Sequence, residues 1–287
     1  DMRASSVRVV GTSALRNIRR KQGFLERARD AIGHPIEIVA GREEARLIYS
    51  GVAHTLPLDS GRRLVVDIGG GSTELIIGQG FEPLELESLD LGCVSMSQRF
   101  FDDGKLSAKR FERARVAAQQ ELETIQARYR SLGWDTVAGS SGTIRAVFEA
   151  LRERDPQCTG INAEGLEDLK ALCIAAGDTG AVQLAALDEE RRRVFGGGLA
   201  ILSEIFAALG IKQMRVAEGA MREGLLYDLM GRYTAGDARE RTVVSMQQRY
   251  HVDVAQAARV EETAVGFLEQ VRETWQLESP LAELAIR

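Results

Sequence analysis

The sequence predicts an α/β fold with an all-helical end. Three observations carry this. Over the first ~50 residues, short β-type runs alternate with helical stretches, the order expected of a parallel sheet. Next come β-type runs separated by a glycine turn, which read as a meander. Beyond residue 232 only helical patterns remain.

The elements follow in order. Val7-Arg8-Val9-Val10-Gly11 reads as a short strand ending in a turn. Thr12 or Ser13 can cap a helix through Leu15 and Arg16. A second helix covers Phe24 to Ile32, with Gly33 past its end. Pro35 to Val39 is a strand, and Gly41 opens a helix through Glu43, Glu44, Leu47, Ile48 and Val52. Arg63 to Ile68 and Thr73 to Gly78 are strands joined by Gly69-Gly70-Gly71-Ser72, and Pro83 to Leu91 is a third. Phe111, Ala114, Ala118, Leu122, Ile125 and Tyr129 step by three and four, which makes one apolar face of a long helix ended by Gly133. Thr136 to Ala138 is a strand into a second small-residue turn, Gly139-Ser140-Ser141-Gly142-Thr143, followed by a helix through Val147 to Leu151. Helices over 163–176 and 187–209, a strand from Lys212 to Ala217 and a helix opened by Gly219 to Gly224 complete this part.

Composition narrows the function. The chain has 287 residues, 44% hydrophobic and 28% charged, which excludes a disordered or fibrous chain. A formal net charge of −5 argues against a general nucleic-acid binder, whose footprint is basic. Cys93, Cys158 and Cys173 lie far apart, so neither a disulfide framework nor a zinc site is expected, and a reducing compartment fits. No apolar run approaches the ~20 residues needed to cross a bilayer.

The strongest chemical signal is Asp67-Ile68-Gly69-Gly70-Gly71-Ser72-Thr73-Glu74. Glycines let backbone N–H groups approach a phosphate closely, and Ser72 and Thr73 add hydroxyls. Asp67 ends a buried strand, where a carboxylate is costly unless paired or bound to a metal. With Glu74 across the turn, two acids flank the loop and can hold Mg²⁺ through oxygen and water. The alternative is a hairpin whose glycines only turn the chain. Gly139 to Thr143 repeats the small-residue logic before a helix N-terminus. On spacing alone, Glu43-Glu44 reads as acids favoured by a helix dipole, and Arg16 as a solvated arginine that could clamp a phosphate.

Taken together, these residues resemble the exopolyphosphatase/guanosine pentaphosphate phosphohydrolase family, of the actin, sugar kinase and Hsp70 ATPase superfamily. The resemblance is carried in order by Gly11 to Arg16, Ile36 to Ile48, Val66 to Leu75, Leu91 to Val94, Gly139 to Thr143, Gly198 to Leu202 and Gly219 to Leu225. It implies ribonuclease-H-like α/β lobes plus the start of an all-α C-terminal domain. Residues 1–50 would be a partial first lobe, 51–232 the second lobe, and 233–287 the start of the helical domain. It implies that Glu44 is the general base, reversing the reading from spacing. Asp67 and Glu74 would hold Mg²⁺. Arg16, Gly69, Gly70, Gly71, Ser72, Ser141, Gly142 and Thr143 would bind phosphate.

The implied reaction is release of orthophosphate from inorganic polyphosphate, with guanosine pentaphosphate as the alternative substrate; Gly71 leans the choice toward polyphosphate. The resemblance also implies a cytoplasmic homodimer, free or at the inner membrane surface, with no transmembrane segment. The family's first phosphate loop, Asp-x-Gly-Ser-Asn-Ser, has no counterpart before Gly11, so the expectation is an internal fragment. Two other classes stand beside this reading: an ATP-using phosphotransferase, and a non-catalytic phosphate- or nucleotide-binding module.

Overall fold

A computed structural model describes residues 7–18, 21–57, 61–233, 247 and 252–271. The chain divides into two units, Asp1–Tyr227 and Asp228–Arg287. In the second unit the main described element is a helix, Val254–Val271.

The first unit opens with β1 (Val9–Gly11), α1 (Ser13–Arg16), α2 (Lys21–Ile32) and β2 (Ile36–Ile38). β1 and β2 pair in parallel, as the alternation predicts. α3 (Gly41–Thr55) follows. β3 (Arg62–Ile68), β4 (Thr73–Gln79) and β5 (Glu82–Leu89) form the meander. After it come α4 (Cys93–Phe100), α5 (Ala108–Leu132), β6 (Thr136–Ser140) and α6 (Gly142–Arg154). The chain continues through β7 (Ile161–Asn162), α7 (Ala163–Ala176), α8 (Glu189–Leu209), β8 (Gln213–Val216) and α9 (Met221–Tyr233). Strands β3 to β8 make one mixed six-stranded sheet in the order β5-β4-β3-β6-β8-β7.

Three departures from the sequence reading have physical causes. α4 was not foreseen, because Ser95 and Ser97 interrupt its apolar pattern; its buried residues include Cys93, Met96 and Phe100. β7 is two residues long, too short to leave a periodic signal. β6 runs two residues into the expected turn, held there by parallel pairing with β3 as far as Asp67↔Ser140.

Side chains on a strand alternate between faces, so each face of the sheet can be read from the register. Leu64, Val66, Ile68, Leu75 and Ile77 face the large core built with α4 to α8. Val65, Ile76 and Ala138 face the other way, onto Ala45, Ile48, Tyr49 and Val52 of α3. α3 therefore covers one face, and most of the remaining helices cover the other.

α3 and the start of α9 cross at near-contact backbone distance. A Cβ on Gly224 would lie 1.8 Å from the carbonyl oxygen of Leu47, and one on Gly51 2.0 Å from that of Ala220. Backbone cannot yield as a side chain tip can. Gly51→Ala should therefore cost at least the ~1–3 kcal/mol typical of overpacking. Urea unfolding monitored by far-UV circular dichroism measures this, and an unchanged midpoint would show that the crossing is looser than described.

Candidate active site

Register places four polar residues in a row across the end of the sheet. Asp67 pairs with Glu74 across β3 and β4. Glu74 pairs with Ser88 across β4 and β5. Asp67 pairs with Ser140 across β3 and β6. Directly paired residues share a face, so Ser88, Glu74, Asp67 and Ser140 all point to the side covered by α3.

Hydroxyls serve these acids. Ser88 Oγ donates to Glu74 Oε1 at 2.8 Å, and the Ser72 hydroxyl also bonds Glu74. Ser140 Oγ lies within reach of both the Asp67 carboxylate and Gly219 O, the latter at 3.2 Å. Its single proton serves one of them at a time. Among the described residues neither Asp67 nor Glu74 has an ion-pair partner.

Glu44 arrives from above, in the first turn of α3, and is buried. Arg16 Nη1 donates to Glu44 Oε2 at 2.7 Å and to Val39 O at 2.9 Å. The arginine expected to bind phosphate is thus first a clamp on the expected base; its other N–H groups stay available. The approach of α3 to the sheet depends on Gly41, where a Cβ would lie 2.5 Å from Ser88 Cβ.

Three carboxylates therefore share one buried region. Burial, followed by the neighbouring charge of Glu44, pushes the Glu74 carboxyl up to about 8. Burial is also the main cause that lifts Asp67 to about 6, helped by Glu44 and opposed by Ser140 and Arg145.

The loop between Asp67 and Glu74 is braced from behind. Gly69 N–H donates to Ser72 O at 2.9 Å. The Gly69 and Gly70 carbonyls accept from Cys93 N–H at 2.9 Å and Val94 N–H at 3.0 Å, at the start of α4. Among the described residues nothing accepts from the N–H groups of Gly70 and Gly71. Unclaimed backbone donors on a braced loop suit an oxyanion. Ser13 meets this loop too, since a Cβ on Gly71 would lie 2.7 Å from its Oγ.

The second loop carries strain. Ser141 has φ +100°, and among the described residues it is the one non-glycine with positive φ. Such geometry costs about 1–3 kcal/mol and gathers at ligand sites. Ser141 Oγ accepts from Ile144 N–H at 3.3 Å and so caps α6. Gly142 is exposed. Thr143 packs against Gly198 of α8 and bonds the thiol of Cys93, which joins the two loops from below.

Sequence reasoning missed Ser88, Ser140 and Ser13. The first two could have been found by continuing the register from Asp67 and Glu74 to the neighbouring strands. Ser13 could not, because its approach to Gly71 depends on how the first elements sit on the sheet.

The donor set fits Mg²⁺. Two buried carboxylates held by hydroxyls rather than by cations leave oxygen ligands and negative charge to be met. Among the described residues no group of three or more His, Cys, Asp or Glu side chains forms a metal cage. Mg²⁺ takes one or two carboxylates and completes its shell with water and phosphate oxygens, so Asp67 and Glu74 could hold it.

Comparison with known proteins now decides the family. The model described as "Ppx/GppA phosphatase family" matches residues 1–233, and that described as "Ppx/GppA phosphatase, domain III" matches residues 238–285. The chain belongs to the Ppx/GppA phosphatase family. A relative from Aeromonas hydrophila, named guanosine-5'-triphosphate,3'-diphosphate pyrophosphatase, is 44% identical over 277 residues, 96% of this chain and 55% of its own length. A relative of the same name from Vibrio vulnificus is 43% identical over 98% of this chain and 56% of its own. The chain thus spans about half the length of these curated relatives.

Among solved structures, a Ppx/GppA family member from Aquifex aeolicus superposes with a TM-score of 0.65 at 24% identity, over 79% of this chain and 75% of that one. An exopolyphosphatase from Cytophaga hutchinsonii gives 0.68 at 24% identity, over 78% and 75%. These likenesses show the fold, the actin-type, ribonuclease-H-like α/β class with a helical C-terminal domain.

Asp67 and Glu74 make a further consequence measurable. Carboxyls raised on folding bind more protons in the native state than in the unfolded one. Without divalent cation, stability should therefore fall as pH rises from the unfolded carboxylate range near ~4 through about 6 and then about 8. Mg²⁺ competes with those protons, so it should raise the melting temperature more at pH 8 than at pH 5.5. Thermal unfolding with Mg²⁺ and with chelator tests this; an equal Mg²⁺ effect at both pH values would rule out these acids as the ligands.

Proposed function

We propose that this chain carries the catalytic machinery of a phosphoanhydride hydrolase that releases terminal orthophosphate from guanosine pentaphosphate. The observation that carries the chemistry is the convergence of Glu44, Asp67 and Glu74 beside a braced glycine loop with unclaimed N–H donors.

The geometry supports the following roles. Gly70 and Gly71 N–H groups, with the Ser141 and Thr143 hydroxyls and the Gly142 backbone, cradle the terminal phosphoryl group; Gly69 and Ser72, expected to bind phosphate too, are instead bonded to each other, to Cys93 and to Glu74, and brace the loop. Its charge spreads over its oxygens as the bridging P–O bond breaks, and fixed donors stabilise that charge. Water attacks the phosphorus in line with the departing oxygen. Glu44 orients that water and takes its proton, while the shortened nucleotide leaves with the bridging oxygen. Arg16 fixes the Glu44 carboxylate and offers its remaining N–H groups to the phosphoryl oxygens. Asp67 and Glu74 would hold Mg²⁺, which when bound neutralises phosphate charge.

The substrate reading shifts from the one drawn on Gly71. Relatives at 44% and 43% identity are named for guanosine-5'-triphosphate,3'-diphosphate, which supports guanosine pentaphosphate ahead of inorganic polyphosphate. Polyphosphate stays as the second reading, because phosphate loops read phosphates rather than bases. The division into 1–50, 51–232 and 233–287, a cytoplasmic location and a homodimer belong to the same proposal. No described helix is long and apolar enough to cross a membrane.

Glu44→Gln in the intact enzyme should lower kcat by ~10²–10⁴ with KM changed only a few-fold, because it removes a proton acceptor and not a binding surface. Phosphate release from guanosine pentaphosphate and from long-chain polyphosphate, assayed side by side, tests both parts. Near wild-type turnover in the variant would overturn the mechanism. Faster release from polyphosphate would overturn the order of substrates.

A further inference from the structure

The face of the sheet that carries the catalytic row has a second polar end. Register continues along β3 from Asp67 through Val65 to Arg63, all on the α3 side. Arg63 pairs with Thr136 of β6, and Ala138 pairs with Arg215 of β8. Arg63, Thr136, Ala138 and Arg215 therefore share one face; Arg63 and Thr136 lie four residues from the catalytic row, or ~13 Å at strand rise, and Ala138 and Arg215 two. α3 packs onto Ala138 and ends at Thr55. What remains is a cavity of about 180 Å³, lined by Leu56, Pro57, Arg63, Thr136, Ala138 and Arg215.

Among the described residues its lining is basic. Arg63 is only 7% exposed, and among the described residues neither it nor Arg215 has an ion-pair partner. A buried guanidinium without a counter-charge is expensive. Arg63 Nη2 donates to Pro57 O at 2.8 Å, which leaves its other N–H groups. The Thr136 hydroxyl beside it is buried and has no hydrogen-bond partner. Asp135, the acid next in the chain, instead accepts from the backbone N–H of Arg62 at 2.8 Å. The C-terminal end of α3 supplies about half a negative charge. Arg63 more than offsets it, and Arg215, exposed on β8, adds a second positive charge to the lining.

We propose that this cavity is a second anion site, for a small oxyanion such as orthophosphate, distinct from the catalytic loops. Size sets the ligand class, since about 180 Å³ is below the ~300–1,000 Å³ of pockets that take drug-sized molecules, and so admits one phosphate group but not a nucleotide. Orthophosphate is also the product of the proposed reaction. An anion here would sit under the last turn of the helix whose first turn carries Glu44.

The test is a titration of the ¹⁵N-labelled full chain with orthophosphate, followed by amide shifts, with chloride at matched ionic strength and acetate as controls. Saturable shifts are expected at Leu56, Val137 and Ala138, absent with chloride and weaker with acetate. Arg215 is exposed on its strand, so Arg215→Gln should fold; it should weaken half-saturation at these amides about tenfold, the loss of one charge-assisted contact. Shifts at Gly70 and Gly71 should be the same in both proteins. Pocket shifts that do not saturate, that chloride reproduces, or that Arg215→Gln leaves unchanged would overturn the second site. Loss of the Gly70 and Gly71 response alone would count against the phosphate-loop reading and leave this one standing.

Discussion

A carboxylate taken out of water must be neutralised, and Asp67 and Glu74 are two such groups fixed side by side by strand pairing. The rest of the site is arranged around that constraint. Hydroxyls from Ser88, Ser72 and Ser140 relieve part of the cost but bring no charge. Glu44 adds a third negative group and is itself held by Arg16. That balance supports the proposed cation bound together with a phosphate. A structural ion-pair cluster would show the opposite arrangement, with arginine or lysine against each acid.

α3 is the element through which this constraint reaches the rest of the unit. Its first turn holds Glu44 over the row of Ser88, Glu74, Asp67 and Ser140, and its middle packs Ile48, Tyr49 and Val52 on the sheet. Glycine contacts tie it at both ends: Gly41 lets it approach Ser88, while Gly51 meets the start of α9. A side chain at either position would tilt the helix and move Glu44 with it. Residues far from the chemistry thus set the position of the proposed base.

Much of this was legible in the residues. Asp67, the glycine loop and Glu74 stand out as a run of acids, glycines and hydroxyls, with a plain hairpin turn as the alternative reading, and the alternation of elements predicts the sheets. The role of Arg16 was half legible: its type suggested phosphate, but its bond to Glu44 joins residues 28 positions apart. The strain at Ser141 could not be read, because serine is ordinary at a helix cap and nothing in its identity signals φ +100°. Nor could the basic cavity, since Arg63 and Arg215 meet only when β6 has inserted between their strands. Local pattern fixes elements; distance in the chain hides neighbours.

The four-residue turn from Gly69 to Ser72 has one more implication. It joins two strands whose side chains alternate, and it sets which face each acid occupies. Its composition can vary with the phosphate it must hold. Its length cannot change by one residue without shifting the pairing of β3 and β4 by one step. Such a slip would carry Glu74 through the sheet, into the apolar layer beneath Leu75 and Ile77. The loop is therefore also a ruler, and a lineage that altered its count would have to rebuild the whole second strand around it.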